Sequence, residues 1–451
     1  MIRTKHKNSI LLLLAVFCIW ICGCSAVRSV APAPLPNVKP EYESADFWIK
    51  RIPDAQKTIL STEQIREANA KALKADTRLT DIFSAECLDR SYIVNLFSTI
   101  RSQFREGNYI DHTNRHVSSV LLEKIFLQMD ECGIPARIEP VFGLITHVTE
   151  LRELPTEEVM MGKPDDIAFD LLQYARLECG TPVRILHYSA NREWTLVQTN
   201  FAAGWIRTLD MAIVDCQSIF QFDAAFPLVI TGEHADVYLD ENYTIFAARL
   251  PMGAKLPLIA AGGTGCKVSF PIRDSNTKLK IITGFIKKTE DVHVGYLPYT
   301  YENTLRQAFK LRGQPYGWGG LFGGRDCSRF IRDIFRCFGF NMPENSFRQA
   351  NLVPDHRIDV SGLNHQEKMA VLKTYEGRPL LLYMRGHIML HLGILNGRGY
   401  AIHSTWAYSD QSFFREHLYQ VGRVVVSDLS LGEGGKKGSL LDRLLAVTRI
   451  E

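Results

Sequence analysis

Apolar residues recur at helical spacing through the first third of the chain, between about residues 43 and 150. Residues 117–129 form an amphipathic stretch, and residues 61–64, Ser-Thr-Glu-Gln, match a helix capping box. In a capping box the first and last residues each satisfy a free backbone N–H of the first helical turn. These patterns predict a mainly helical N-terminal domain over residues 43–150, which would brace the other domains.

From about residue 151 the spacing of the apolar positions changes to the alternation that is typical of short strands. Residues 181–198 contain two such strands around a turn. Short strands separated by turns predict a small barrel over residues 151–218, and a weaker copy follows over residues 219–298. We expect Trp194 and Trp205 to lie in the core of the first barrel rather than to stack on sugars.

A helix followed by neighbouring strands is predicted in the last third of the chain. Residues 329–339 are amphipathic, and Gly339 is a natural helix stop. The apolar residues on the predicted inner face are Phe330, Ile331, Ile334, Phe335 and Phe338. Residues 380–384, 385–393 and 400–404 have the composition of three strands.

A cysteine stands directly in front of this helix, where it would have useful chemistry. Cys327 lies between Asp326 and Ser328, after the glycine-rich run 315–320. The unpaired N–H groups and the positive dipole end of a helix favour a thiolate, which is the attacking species. We therefore predict that Cys327 is a nucleophile, whereas Cys337 within the same helix is expected to be a small buried hydrophobic residue.

A cysteine nucleophile needs a base and a group that orients the base. His387 lies in a predicted strand and is the candidate base, and His403 on the next strand is the candidate that fixes its tautomer. The alternative for His403 is a hydrogen-bonded core histidine. His387 and His391 do not suggest a metal site, because four residues of strand separate two side chains by roughly 13 Å.

The turn between these two strands decides whether the two histidines can meet. Asn-Gly at 396–397 is a strong signal for a two-residue hairpin, which would pair Leu395 with Arg398 and place the histidines on opposite faces. Facing histidines require a loop of odd length, such as residues 393–397 with Leu392 opposite Arg398. We therefore predict the odd loop.

The N-terminus and the composition indicate an exported protein. Three basic residues precede the apolar run 10–21, which has the length of a signal peptide and is short for a membrane span. Residues 26–40 contain four prolines and predict an extended, poorly ordered tether. The formal net charge of +3 gives no indication of a nucleic-acid partner. The seven cysteines that follow the signal region are odd in number and unpatterned, unlike a disulfide framework.

The motifs of the last third resemble the NlpC-type bacterial cell-wall cysteine peptidases. The resemblance rests on Pro-Tyr-Gly-Trp-Gly-Gly at 315–320, Asp-Cys-Ser at 326–328 and the two histidine strands, and it covers about residues 299–430. Members of this family are papain-like and cut peptidoglycan stem peptides after γ-D-glutamate. Two residues depart from the common pattern. Arg329 replaces a usual glycine and could alter the cleft rim, and His391 replaces a usual aromatic residue with little expected consequence.

The resemblance implies a role for each candidate residue. Cys327 would be the nucleophile, His387 the base and His403 the polar third member. The residues implied to bind substrate are Tyr316, near the oxyanion, and Asp326 and Ser328, in the cleft. Asp326 has no evident catalytic task, so it could pair with the α-ammonium of a free N-terminal L-alanine, or it could cap the helix.

The predicted fold class is α+β, with a papain-like catalytic domain over residues 299–451. Two small SH3-like β-barrels, of the bacterial type found with NlpC domains, and the helical domain precede it. Ile-Cys-Gly-Cys at 21–24 resembles a lipobox. This resemblance implies a signal peptide over residues 1–23, a lipidated Cys24, a tether over residues 24–42 and a location in the cell envelope.

The expected activity is hydrolysis of the γ-D-glutamyl-diamino acid bond by a thiolate paired with a protonated histidine. The expected substrates are stem peptides with a free N-terminal L-alanine, and no metal or organic cofactor is needed. We expect a monomer held to the membrane through Cys24. Three alternatives stay open: an N-acetylmuramoyl-L-alanine amidase, a non-catalytic wall-binding lipoprotein, and an enzyme of cytoplasmic recycled peptides, which the lipobox disfavours. The diamino acid, the membrane and the physiological role are left open.

Overall fold

The computed structural model describes residues 27–75, 80–412 and 415–451. The helices are α1 (Ala45–Ile49), α2 (Thr62–Ala75), α3 (Arg90–Glu106), α4 (Ser119–Gln128), α5 (Cys216–Ala224), α6 (Tyr301–Lys310), α7 (Cys327–Arg336), α8 (Ser346–Ala350) and α9 (His365–Thr374). The strands before residue 215 are β1 (Val27–Val30), β2 (Thr58–Leu60), β3 (Leu88–Asp89), β4 (Arg137–Ile138), β5 (Val141–Ile145), β6 (Thr149–Arg152), β7 (Gln173–Leu177), β8 (Pro182–Tyr188), β9 (Trp194–Gln198), β10 (Ala203–Arg207) and β11 (Met211–Val214). The later strands are β12 (Pro227–Ile230), β13 (His234–Tyr238), β14 (Phe246–Pro251), β15 (Lys255–Gly262), β16 (Gly265–Arg273), β17 (Leu279–Lys287), β18 (Val292–Val294), β19 (Tyr299–Thr300), β20 (Arg357–Asp359), β21 (Leu380–Met384), β22 (His387–Leu395), β23 (Arg398–Ser412), β24 (Arg415–Asp428) and β25 (Ala446–Arg449).

Three seven-stranded sheets organise the described residues. The first sheet has the order β11-β5-β8-β9-β10-β6-β7, and the second has the order β14-β13-β17-β16-β15-β12-β18. The third is the C-terminal sheet, with the order β1-β24-β23-β22-β21-β25-β20. The chain is 26% helical and 34% strand, which confirms the predicted mixed class. No helix in these three stretches is long and apolar enough to cross a membrane.

The N-terminal region is divided between two parts of the molecule. Helices α3 and α4 cover the first sheet, and the fully buried Trp205 and the buried Trp194 lie in the core between them. The two tryptophans are buried core residues as expected, but this core lies between the helices and the first sheet, whereas a separate cluster that contains neither of them fills the barrel. The predicted helical domain over residues 43–150 is too long, because β5 and the first half of β6 already belong to the first sheet. Helix α1 instead packs on the C-terminal core through Trp48.

The predicted capping box is present at the start of α2. The Ser61 N–H donates to Oε1 of Gln64 over 2.8 Å, and the Gln64 N–H donates to Oγ of Ser61 over 3.2 Å. These two bonds satisfy backbone donors that the first helical turn leaves free. The prediction that a helix begins there is therefore confirmed.

The first described segment of the chain is bound along the C-terminal sheet. Strand β1 pairs in parallel with β24, and the Ala31 N–H donates to the Gln420 carbonyl over 2.9 Å. Leu35 and Tyr42 are buried in the C-terminal core. The expectation of a poorly ordered tether is therefore wrong for residues 27–42, because strand pairing and the burial of Ala31, Leu35, Val38 and Tyr42 hold the segment on the C-terminal domain. The predicted signal peptide and Cys24 lie outside the described residues.

Helix α7 is packed against the C-terminal sheet as its apolar pattern predicts. The five residues of the predicted inner face, Phe330, Ile331, Ile334, Phe335 and Phe338, are all fully buried. The helix ends before Gly339, which has a φ of +94°, a conformation that costs glycine little. Cys337 is also fully buried, as expected for a small hydrophobic residue. All seven cysteines among the described residues are free.

The hairpin between β22 and β23 differs from the predicted odd loop. Leu395 pairs with Arg398, so the turn is the two-residue Asn-Gly turn. The pairing then shifts by one residue at Leu392, so that Leu390 lies opposite Ile402. A bulge of one residue moves all following side chains to the other face of a strand. The bulge, rather than the turn, therefore brings the two histidines to one face.

A group of buried charges surrounds Asp333 in the middle of α7. Its members are Arg325, Arg329, Arg332, Asp333, Glu178 and Glu344, all with side chains no more than 5% exposed. Asp333 accepts from Nε of Arg325 and from Nη2 of Arg332, each over 2.9 Å. We call this group the Asp333 cluster. Its three cations and three anions balance, which buried charges require.

The Asp333 cluster joins α7 to both preceding sheets. Arg329 forms an ion pair with Glu178, which directly follows β7 of the first sheet. Arg325 donates to the carbonyl of Glu233, directly before β13 of the second sheet, over 3.1 Å. The expectation that Arg329 could alter the cleft rim is wrong, because its side chain is buried between domains.

We expect Asp333→Asn to lower the free energy of unfolding by about 3–5 kcal/mol, because three buried guanidinium groups would lose their shared carboxylate. Urea unfolding followed by tryptophan fluorescence measures the change. Asp355→Asn is the matched control, since Asp355 is exposed, and it should stay within about 0.5 kcal/mol of the parent. Equal effects of the two substitutions would contradict the role of the cluster.

Candidate active site

All six sequence-predicted site residues of the C-terminal region line one cavity of about 900 Å³. They are Tyr316, Asp326, Cys327, Ser328, His387 and His403. The cavity lies between the C-terminal sheet and the segment 163–174, which precedes and enters β7 of the first sheet. The site is therefore built from two domains, although the sequence motifs lie in only one of them.

Cys327 is the first residue of α7, and Asp326 is its N-cap. Oδ1 of Asp326 accepts from the Arg329 N–H and from Oγ of Ser328, each over 2.8 Å. Its Oδ2 accepts from the Gly319 N–H over 3.1 Å. The carboxylate therefore holds both the start of the helix and the glycine-rich loop in front of it. The capping alternative for Asp326 is confirmed.

The two histidines and a serine form a chain of hydrogen bonds behind Cys327. Nε2 of His387 lies 2.7 Å from Nδ1 of His403. Nε2 of His403 lies 2.9 Å from Oγ of Ser427, which is fully buried on β24. Sequence reasoning missed Ser427, because only the pairing of β23 with β24 brings it to His403.

The donor and the acceptor in each of these bonds can be assigned if Nδ1 of His387 takes the proton of the Cys327 thiol. A neutral imidazole has one donor and one acceptor nitrogen. With Nδ1 of His387 as the acceptor, its Nε2–H must donate to His403. The Nε2–H of His403 then donates to Ser427. This arrangement gives each histidine a fixed tautomer and leaves the Nδ1 atom of His387 available in the cavity.

The electrostatics of the site favour the neutral forms of Cys327 and His387. Burial raises the pKa of the Cys327 thiol to about 12, and the charge of Asp326 adds to this effect. The N–H groups of Ile388, Ser328 and Cys327 itself lower that pKa by less. Burial lowers the pKa of His387 to about 3, with a further contribution from Arg443. The expectation of a resting thiolate is therefore not met, because burial outweighs the helix N-terminus.

Tyr316 lines the same cavity as Cys327 and has a hydroxyl group that can donate a hydrogen bond. Burial raises the pKa of its hydroxyl, and the charges of Asp326 and Cys327 raise it further, so the phenol stays protonated. The backbone N–H of Cys327 is a second donor, since the first residues of a helix have no internal acceptor for their N–H groups. These two groups could stabilise the oxyanion that forms on a carbonyl oxygen when the Cys327 sulfur attacks that carbonyl.

An aromatic wall joins the first sheet domain to the cavity. The ring of Phe169 lies 5.9 Å from Tyr316, 5.5 Å from Trp318 and 5.3 Å from Trp406. Phe169 comes from the first sheet domain and the other three come from the C-terminal domain. Sequence reasoning missed Phe169 and Trp406, because neither lies in a motif. The wall excludes water from one side of the cavity.

Ionisable groups of opposite sign line two parts of the cavity. Glu153 follows β6 on the side of the first sheet, and burial raises the pKa of its carboxyl to about 7. No cation among the described residues forms an ion pair with it, and its charge acts on the hydroxyl of Tyr174. Arg385, Lys437 and Arg443 line the C-terminal side. The sequence analysis predicted neither Glu153 nor these three cations as site residues.

His391 lies outside this arrangement. It is 1% exposed, and burial lowers its pKa to about 4. The cavity does not include it. Within the described ranges, no group of three or more histidine, cysteine or acidic side chains is arranged to hold a metal ion.

Two segments of the chain match known domain families. Residues 313–423 match the NlpC/P60 family, and residues 161–207 match the SH3 domain of the SH3b1 type. The first match contains Cys327, His387 and His403. The chain therefore has an NlpC/P60 papain-like domain with an upstream SH3b domain, which confirms the predicted fold.

Two curated proteins from Bacillus subtilis (strain 168) are similar to parts of the chain. One is the bifunctional muramidase/DL-endopeptidase CwlT, 29% identical over 131 residues, which are 28% of this chain and 36% of that protein. The other is a γ-D-glutamyl-L-lysine dipeptidyl-peptidase, 32% identical over 96 residues, which are 21% of this chain and 29% of that protein. The chain thus spans about a third of the length of each relative.

One solved structure matches nearly the whole chain. It is an NlpC/P60 endopeptidase from Photobacterium damselae subsp. piscicida, with a TM-score of 0.72 and 20% identity. The match covers 89% of this chain and 96% of that one. At this identity the likeness shows a common fold.

The neutral thiol predicts a specific response to pH. We expect the rate of Cys327 alkylation by iodoacetamide to rise continuously between about pH 6 and pH 9, because only the thiolate reacts and burial raises the thiol pKa. Mass spectrometry of the Cys327 peptide separates this reaction from those of the other cysteines, and Cys327→Ala is the blank. A rate that is flat above about pH 5 would show a resting thiolate and contradict this account.

Proposed function

We propose that the chain is a cysteine endopeptidase that hydrolyses the γ-D-glutamyl-diamino acid bond of peptidoglycan stem peptides. The observation that carries the proposal is the chain of contacts from His387 through His403 to Ser427, in the same cavity as Cys327. The similarity to a DL-endopeptidase and to a γ-D-glutamyl-L-lysine dipeptidyl-peptidase supports the choice of bond.

The reaction uses a thiol and an imidazole in two steps. Sγ of Cys327 attacks the carbonyl carbon of the γ-amide while the thiol proton moves to Nδ1 of His387. The C–N bond then breaks, and His387 gives that proton to the leaving amine. Water attacks the resulting thioester, with His387 as the base, and the thiol is regenerated. The Cys327 N–H and the Tyr316 hydroxyl stabilise the oxyanion in both steps.

His403 and Ser427 keep the base in the reactive tautomer. Burial lowers the pKa of His403 well below its ordinary value, and His387 lowers it further, so His403 stays neutral. A neutral His403 can accept from His387 and donate to Ser427 at the same time. Its role is therefore to position the base, in the way that a third residue positions the histidine of other nucleophilic enzymes.

The free N-terminal amine of the stem peptide binds to Glu153, and Asp326 lines the same cavity. Glu153 has no cationic partner among the described residues, and an ammonium group would supply one. Asp326 is already a helix cap, so its contribution is the remaining negative charge. The aromatic wall, to which the SH3b domain contributes Phe169, limits the room beyond the alanine, which favours a short peptide over a muramyl-linked one.

Attachment to the cell envelope through a lipid on Cys24 is part of the proposal. The residue lies outside the described part of the chain, and the support is the Ile-Cys-Gly-Cys pattern. Acyl chains contribute about 0.8 kcal/mol of membrane affinity per buried CH₂. Fractionation of cells that produce Cys24→Ser tests the anchor, because membrane retention of that variant would rule it out.

The decisive substrate comparison is between L-Ala-γ-D-Glu-diamino acid and its N-acetylated form. We expect the acetylated peptide to be cleaved with at least about 10-fold lower kcat/KM, because it lacks the charge that pairs with a buried carboxylate. Chromatography with mass detection of the products measures both rates and separates endopeptidase from amidase products. Cleavage of both peptides at equal rates would contradict recognition of the amine.

The substitution Glu153→Gln tests whether Glu153 binds the free amine of the peptide without taking part in the chemical steps. It should raise KM for the free-amine peptide, leave kcat nearly unchanged, and have no effect on the acetylated peptide. Glu158→Gln is the matched control, since Glu158 lies nearby but does not line the cavity. If neither substitution changes KM, Glu153 does not bind the amine.

A further inference from the structure

Arg443 is a cation of the cavity that has no carboxylate partner. It is partly buried, and among the described residues no acidic side chain forms an ion pair with it. Burial alone lowers its pKa, and no neighbouring negative charge raises it. A guanidinium that is partly removed from water without a counter-ion is costly, so a bound anion would stabilise it.

The backbone of Arg443 is held firmly in place. Nζ of Lys368, in α9, donates to the carbonyls of Leu441, Asp442 and Leu444 over 3.1, 2.8 and 3.1 Å. The Asp442 carboxylate next to Arg443 is turned to Ser439 and His365. The neighbouring acid therefore does not neutralise Arg443, and the segment that carries the guanidinium is fixed before any ligand binds.

The position of Arg443 relative to His387 indicates which part of a substrate it meets. Its charge acts directly on the His387 imidazole. In the reaction above, His387 delivers a proton to the leaving amine, so the leaving residue lies against this imidazole. Glu153, which faces the other end of the peptide, is on the side of the SH3b domain. Two more cations, Arg385 and Lys437, line the cavity on the side of Arg443.

We propose that Arg443, assisted by Arg385 and Lys437, is a carboxylate-binding subsite for the diamino acid residue that leaves. This inference rests on the proposed function. The ligand is a carboxylate beyond the scissile bond, which has two sources in a stem peptide. One is the α-carboxylate of a diamino acid at the end of the chain, and the other is the side-chain carboxylate of diaminopimelate. Arg443 lies outside the segment that matches the NlpC/P60 family.

Three synthetic peptides distinguish these sources. L-Ala-γ-D-Glu-L-Lys-amide has no carboxylate beyond the scissile bond. L-Ala-γ-D-Glu-L-Lys with a free C-terminus has the α-carboxylate alone. L-Ala-γ-D-Glu-meso-diaminopimelate with its α-carboxylate amidated has the side-chain carboxylate alone. All three share the free amine and the D-glutamate, so the other contacts stay constant.

We expect Arg443→Met to lower kcat/KM by about 10- to 100-fold for at least one carboxylate peptide, relative to the lysine amide peptide in the same variant. Dividing by the lysine amide peptide removes any effect that acts through the pKa of His387, because that effect is common to all three. Arg443→Lys keeps the charge and should recover part of the loss. Whichever peptide responds identifies the source of the carboxylate.

The control is Lys436→Met, which removes an exposed cation that does not line the cavity. It should leave all three ratios unchanged. Equal kcat/KM losses for the three peptides in Arg443→Met, or no loss, would overturn the subsite. If the parent protein cleaves none of the peptides, the proposed function has failed instead, so the two failures are distinguishable. A thermal melt of Arg443→Met shows that the variant is folded.

Discussion

The buried carboxylate of Asp333 fixes the position of α7 relative to the two preceding sheets. Three arginines surround it, and all of them lie in or just before α7. A charge that is removed from water must be paired, because an unpaired buried charge destabilises the folded protein. Loss of the Asp333 carboxylate would leave the surrounding guanidinium groups in that state. Since Arg329 and Arg325 also bind the two preceding sheets, the helix that begins with Cys327 cannot move without disrupting both interfaces. The position of the sulfur is thus set by contacts between domains.

The cavity follows from this assembly. The SH3b domain contributes Phe169 and Glu153 to a site whose reacting groups all lie in the C-terminal domain. The first-sheet side of the cavity has one cation, Lys163, against the three acidic residues Glu153, Asp165 and Asp166, whereas Arg385, Lys437 and Arg443 lie on the side of His387. A stem peptide with a free amine and carboxylates beyond the scissile bond has the same order of charges. The peptide would be placed across Cys327 in one direction only, since the reverse orientation would bring like charges together.

Much of the site could be predicted from the sequence, because its chemistry requires particular residues at particular places. A thiol at a helix start and two histidines on successive strands identified Cys327, His387 and His403. The facing of the two histidines was predicted, but through an odd loop, whereas the structure reaches it through the bulge at Leu392. The signal for that bulge is Gly393 beside it, because a glycine inside a strand often marks a bulge. By contrast, Arg329 and Glu178 are 151 positions apart in the chain, and only the packed structure shows that they form a pair.

In the proposed reaction Cys327 carries the L-Ala-γ-D-Glu half of the substrate as a thioester. Acid quenching of the enzyme during cleavage of L-Ala-γ-D-Glu-diamino acid, followed by mass spectrometry of its peptides, tests this claim directly. We expect a transient L-Ala-γ-D-Glu group attached to Cys327 and nowhere else. Cleavage without any acylated cysteine, or an adduct that retains the diamino acid, would contradict it.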